Sequence, residues 1–197
     1  MDFHKTFSET HCSGSTIDYG VISGNERIVL IKSGRGGSHR GYEDKHVKMA
    51  HRLHSKYGCT VICSSNPCDC KESYDLDKII IDRYVEEKNF SDFELFLIGS
   101  SNGAYQILFL ANQLSQTKKL LCINMPLMLN FHKATKELQM MERIEKIFVY
   151  GTNDPSYSYL PFLETKKFCM TRTIRVDGAD HQFINRTDDF IALADLI

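Results

Sequence analysis

A chain of 197 residues is long enough to bury one proper core and sits near the size of a single domain. Its 42% hydrophobic and 25% charged residues are those of an ordinary globular protein and exclude disordered and fibrous classes. The formal net charge is −1, with no basic run interleaved with aromatics and no apolar stretch of membrane-spanning length, so neither nucleic acid nor a membrane is an expected partner. Met1-Asp2-Phe3-His4-Lys5 lacks the apolar run of a signal peptide, which makes the cytoplasm the expected address. The seven cysteines, an odd number, read as reduced thiols, with Cys63 and Cys122 acting as small hydrophobes inside strands.

Residues 6–12 and 15–23 read as two strands of a hairpin joined at Cys12-Ser13-Gly14. Arg27–Lys32 (RIVLIK) is a buried-strand run that ends in the Gly-rich Ser33-Gly34-Arg35-Gly36-Gly37-Ser38. A helix is predicted over 42–57, with Val47, Ala50, Leu53 and Tyr57 on one face and Gly58 as its stop. The next strand is Cys59–Ser64, followed by a helix over 73–88 with Leu76, Ile79, Ile80 and Tyr84 inward. Phe93–Gly99 (FELFLIG) is the strongest strand, and helical spacing resumes over 102–116 through Ala104, Ile107, Leu108, Ala111 and Leu114. Leu120–Asn124 and Lys146–Tyr150 are strands flanking a helix at about 128–142. A helix near 156–166, a strand near 170–176 and a last helix from Thr187 complete the order. Such alternation implies an α/β fold: a mostly parallel sheet with helices on both faces and an N-terminal β-hairpin, in one domain over 1–197.

Gly99-Ser100-Ser101-Asn102-Gly103 fits Gly-x-Ser-x-Gly and falls where the best strand ends and an amphipathic helix begins. There the glycines permit the tight turn that exposes a nucleophilic hydroxyl at a helix N-terminus; the plain alternative is a connecting turn. A serine needs a base. His181, in Asp177-Gly178-Ala179-Asp180-His181-Gln182-Phe183 between the last strand and the last helix, is the best placed of eight histidines. His4 and His11 fall in the hairpin, His46, His51 and His54 on one helix, and His132 on another, where histidines are more often solvated or locally bonded. The base in turn needs a carboxylate to fix its tautomer. Asp154, just beyond the strand 146–150, is the candidate; it also suits an Asp-Pro turn with Pro155, and Asp180 and Asp177 are rivals.

Ser101, Asp154 and His181 occur in the order Ser…Asp…His, each after a strand, and over nearly its whole length the chain resembles the α/β-hydrolase superfamily. The resemblance implies an oxyanion hole from the N–H of Asn102 and, from the loop after the third strand, that of Arg35. The sequence departs from the family in having Ser33-Gly34 where His-Gly is frequent, which puts the register of Arg35 in question by about one residue. Members with large caps insert them after the sixth strand, but here Pro126–Glu145 leaves room for one helix, so a shallow, open, capless site is expected.

Met125, Leu127, Met128, Leu129 and Phe131 either give that site an apolar wall for a short acyl group or only pack their helix. Arg35, Gly36, His39 and Arg40 are placed near the mouth, where basic groups suit an anionic substrate unless they are merely solvated. Cys59, Cys63, Cys68 and Cys70 lack the spacing of a common zinc site, and neither metal nor organic cofactor is called for. The leading expectation is a serine hydrolase acting on a small carboxylic ester or related acyl substrate. An acyltransferase, a thioesterase or amidase using the same three residues, and a non-catalytic hydrolase-like binding protein are the alternatives.

Overall fold

In the computed structural model, which describes residues 1–10, 14–71 and 73–197, eight strands form one sheet. β1 (Lys5–Thr10) and β2 (Thr16–Ile22) pair as the expected antiparallel hairpin, and β2 also runs antiparallel to β4 (Cys59–Ser64). The predicted turn at Cys12-Ser13, and His11 beside it, lie outside the described residues. Every other pairing is parallel: β4 to β3 (Asn25–Lys32), β3 to β5 (Glu94–Ser100), then β6 (Thr117–Ile123), β7 (Glu145–Gly151) and β8 (Thr171–Val176) in turn. The order β1-β2-β4-β3-β5-β6-β7-β8 makes β3 and β5 neighbours whose following helices leave in opposite directions. A crevice at the C-terminal strand edge is the consequence.

Alternation along the strands sends side chains to two cores. Ile28, Leu30, Leu95, Leu97, Phe148 and Tyr150 face α2 (Ser73–Lys88), α3 (Asn102–Gln113), α4 (Phe131–Met140) and α5 (Leu160–Thr165). Val29, Ile31, Phe96, Ile98, Ile147 and Val149 face α1 (Lys45–Tyr57) and α6 (Thr187–Ala192). Cys63 and Cys122 are buried thiols of β4 and β6, and burial pushes the pKa of both up. Between β6 and β7 there is only a short 3-10 turn (Leu127–Leu129) and α4, so the sheet edge carries no cap. Among the described residues no helix is long and apolar enough to cross a membrane.

Three of the differences from expectation have a visible physical cause. The helix predicted from 42 begins at Lys45, because Glu43 and Asp44 take left-handed backbone angles (φ 51° and 57°) and the chain makes a 3-10 turn over Tyr42–Asp44 first. Arg40, ion-paired with both Asp2 and Asp44 at 2.7 Å, ties that turn down. The helix predicted near 128 begins at Phe131, since the Asn130 side chain accepts the Lys133 N–H and caps it there. In α2 Ile79 is 40% exposed, and the inward face instead runs through Leu76, Asp77, Ile80, Ile81 and Tyr84.

Asp77 is inward for an electrostatic reason. Lys32 continues the face of Ile28 and Leu30 into the core, fully buried, and its Nζ lies 2.9 Å from Asp77 Oδ2 and donates to the Ser65 carbonyl at 2.7 Å. Burial pushes the lysine pKa down and the carboxyl pKa up, each opposed by the other's charge. Removing one partner leaves a buried charge alone, whereas removing both leaves apolar volume. Lys32→Met should therefore lose about 3–5 kcal/mol in urea denaturation. Lys32→Met with Asp77→Leu should recover most of it; equal losses in the two proteins would show that the pair is not what rotates α2.

Candidate active site

Ser101 sits between the end of β5 and the start of α3 with φ 54° and ψ −128°, a backbone conformation that costs an L-residue on the order of 1–3 kcal/mol. Its N–H donates to the Ile123 carbonyl at 2.8 Å and its carbonyl accepts the Ala104 N–H at 3.0 Å, which hold the turn from both sides. The flanking glycines are required by space. A Cβ on Gly99 would lie 2.5 Å from Ala104 Cα, and one on Gly103 would lie 2.2 Å from the Ser33 carbonyl oxygen. The helix can close onto β3 and β5 only because both positions lack a side chain.

The strand edge brings two distant loops to this hydroxyl. His181 Nε2 lies 2.8 Å from Ser101 Oγ, and its Nδ1 makes a short bond to Asp154 Oδ2. With the Nδ1 proton directed at the carboxylate, Nε2 is left to accept from the serine. Asp154 is buried, and its other oxygen accepts the Ser156 N–H at 2.6 Å, so the Asp-Pro turn and the histidine contact coexist on one carboxylate. The rivals are occupied elsewhere. Asp180 Oδ1 accepts the N–H groups of Gln182 (3.1 Å) and Ile184 (2.9 Å), and Asp177 Oδ1 accepts from the Thr152 hydroxyl at 3.3 Å. The Asp154 hydrogen bond raises the His181 pKa above its usual 6.5, against desolvation and the nearby charge of Lys45, which lower it.

Two asparagines that sequence reasoning missed hold these loops. Asn124, 1% exposed just beyond β6, donates through Nδ2 to the carbonyls of Asp180 and His181 (both 3.1 Å) and accepts the Gly151 N–H at 2.9 Å. It thus links the His181 loop to the strand end that carries Asp154. Asn66, after β4, donates to the Ser33 carbonyl and to Asn102 Oδ1 (3.1 Å each) and accepts from Ser73 at 3.0 Å. Its main chain pairs with Gly36 and Gly37. The turn closed by Gly37 N–H to Gly34 O at 2.9 Å, and the start of α3, leave the N–H groups of Arg35 and Asn102 without an acceptor among the described residues.

A cavity of about 380 Å³ opens beside Ser101 and His181, lined also by Ser33, Arg35, Tyr42, Lys45 and His46. It lies on the α1 side, and this corrects the expected apolar wall. Met125 is fully buried in the core, where its carbonyl accepts the Tyr150 hydroxyl at 2.9 Å; Leu127 is buried too. Met128 is 37% exposed, contacts the Ser156 hydroxyl through its sulfur, and lines no part of the cavity. Of the basic groups expected at the mouth, only Arg35 lines it. His39 leans on Phe3 (ring centroids 5.4 Å apart), Arg40 is taken up by its ion pairs, and Gly36, at φ 73°, does not line the cavity.

No family model and no curated protein matches the sequence. Solved structures match over the whole chain. An alpha-beta serine hydrolase homologue from Coxiella burnetii superposes with a TM-score of 0.74 at 16% identity, covering 98% of this chain and 97% of that one. The esterase domain of a Rhodothermus marinus protein gives 0.72 at 13%, covering 98% and 95%. A serine hydrolase without a lid from Xanthomonas campestris gives 0.70 at 18%, covering 98% and 92%. At such identities the likeness establishes the fold and leaves the chemistry to the side chains.

The histidine contact makes a titration test. Asp154→Asn keeps the shape and removes the charge, so the His181 imidazole, followed by NMR, should titrate at lower pH in the variant than in the parent. An unmoved titration would show that the carboxylate does not govern the ring.

Proposed function

The chain has the α/β-hydrolase fold, in a capless form. From that premise we propose that it is a single-domain serine hydrolase that cleaves a small carboxylic ester or related acyl compound through an acyl-enzyme on Ser101. The observation that carries the reading is the hydrogen-bonded series from the Ser101 hydroxyl through His181 to the buried Asp154. His181 takes the proton as Ser101 Oγ attacks the carbonyl carbon, and the imidazolium is stabilised by Asp154. The carbonyl oxygen becomes an oxyanion facing the N–H groups of Asn102 and Arg35. Each such donor contributes on the order of 3–4 kcal/mol to the transition state. Collapse of the intermediate returns the proton to the leaving alcohol. Water, activated by the same imidazole, then releases the acid.

Hydrolysis is favoured over transfer to another acceptor by the openness of the site. The His181 side chain is 40% exposed and no cap overlies it, so water reaches the base during the second half of the reaction. The raised pKa of His181 sets the acid limb of the pH profile above 6.5, because activity is lost as the base becomes protonated on lowering the pH.

Ser101→Ala should lower kcat for a short p-nitrophenyl ester by at least about 10³-fold while the far-UV circular dichroism stays that of the parent. Retention of most of the activity would refute the assignment of the nucleophile.

A further inference from the structure

The cavity beside Ser101 is lined by Lys45 and by Arg35, whose guanidinium donates to the Cys68 carbonyl at 3.2 Å, and by no aspartate or glutamate. Several other cations are paired: Lys32 with Asp77, Arg40 with Asp2 and Asp44, Arg52 and Lys56 with Asp195. The buried Lys146 has no carboxylate partner among the described residues but donates to the Met141 and Ile144 carbonyls. Lys45 has neither a carboxylate partner nor a second carbonyl among them. It opens α1 with only 7% of its surface exposed, and among the described residues no carboxylate lies within 4 Å of its Nζ. The Nζ donates to the Gln182 carbonyl at 2.9 Å and lies 4.3 Å from the centre of the Phe190 ring. One of three ammonium donors is therefore used in a hydrogen bond, and the face of the ring meets part of the positive charge.

A second group behaves alike. His46 lines the same cavity at 2% exposure, and neither of its ring nitrogens makes a hydrogen bond of ordinary geometry with the described residues. Burial keeps that ring neutral, its pKa pushed down to about 3, so it offers one N–H and one lone pair and no charge. Buried polar groups of a folded protein are normally satisfied, and an unpartnered imidazole beside an ammonium with spare donors, both lining one cavity, points to a ligand. An anion suits the site, because no carboxylate among the described residues contacts the Lys45 ammonium and Asp180 offsets its charge only from a distance. The position also locates it. Lys45 is bonded to the carbonyl of Gln182, the residue next to His181, so the anion would lie within a short carbon chain of the reacting carbonyl.

We propose that Lys45, with Arg35 at the mouth and His46 beside it, forms an anion subsite. It selects acyl substrates that carry a carboxylate close to the scissile bond, such as the monoester of a short dicarboxylic acid. This substrate class rests on the reading of Ser101 as nucleophile; the anion subsite itself does not. A carboxylate fits better than a phosphate group, since one recessed ammonium and one neutral imidazole supply few donors and no bidentate fork at depth. Seating the carboxylate also neutralises the charge that lowers the basicity of His181, so the correct substrate strengthens the base that attacks it.

Isothermal titration of the protein with glutarate reads the subsite without any turnover. Glutarate should bind at least about 10-fold more tightly than the neutral glutaramide and than inorganic phosphate at equal ionic strength. Lys45→Met should weaken glutarate by at least about 10-fold, and Lys45→Arg should restore most of the affinity. Equal binding of glutarate and glutaramide overturns the subsite with no variant required, as does unchanged affinity in Lys45→Met; phosphate binding as tightly as glutarate overturns the carboxylate class. In parallel, kcat/KM for the mono-p-nitrophenyl ester of glutaric acid should exceed that for p-nitrophenyl pentanoate by about 10-fold or more, and Lys45→Met should abolish the preference. If glutarate binds through Lys45 while neither ester is cleaved, the hydrolase reading has failed and the anion subsite stands.

Discussion

The left-handed backbone at Ser101 is the constraint from which the rest of the structure follows. It can exist only where β5 stops and α3 starts at once, and that junction closes only because Gly99 and Gly103 leave room for Ala104 and for the Ser33 carbonyl. The same close approach brings the loop after β3 against the helix start, where a Cβ on Gly34 would lie 3.1 Å from Ser101 Cβ. A side chain at Gly99 or Gly103 would push the helix away from the sheet and open that junction. Neither strand nor helix is strained; the cost is concentrated in one residue and is held there by the Ile123 and Ala104 hydrogen bonds.

Around that junction the sheet acts as a positioning device for loops far apart in the chain. β7 delivers Asp154, the segment after β8 delivers His181, and Asn124 beyond β6 bonds to both loops. The charges are graded by burial. Asp154 is buried, His181 half-exposed, and Lys45 almost enclosed at the edge of the cavity, where burial brings its pKa down to about 8. Asp154 raises the basicity of the imidazole and Lys45 lowers it, so the ring is held between a fixed anion and a cation that a bound anion can neutralise.

The strands were legible because a sheet covered on both faces makes its inner strands short continuous apolar runs rich in β-branched residues; β4, buried throughout, begins and ends at the predicted residues. The convergence of Ser101, His181 and Asp154 was legible because each follows a strand at the edge where loops meet, and their side chains do come within hydrogen-bond distance there. Lys45, Asn66 and Asn124 were not. Their roles rest on contacts 137, 36 and 57 residues away, and in sequence they are an ordinary helical lysine and two ordinary loop asparagines. Lys32 and Asp77 hid for the opposite reason: a charge in a strand reads as the strand's end, and a charge in a helix reads as its wet face. The cavity side was misjudged because the methionines near 125–128 are apolar whether they line a site or fill a core, and Met125 fills the core.

The central claim is that Ser101 is activated through His181. Reaction of the folded protein with a fluorophosphonate, followed by peptide mapping, tests it most directly. A single adduct on the peptide carrying Ser101 is expected, formed at least about 10²-fold more slowly in His181→Ala. An adduct at another residue, or an undiminished rate in His181→Ala, would contradict it.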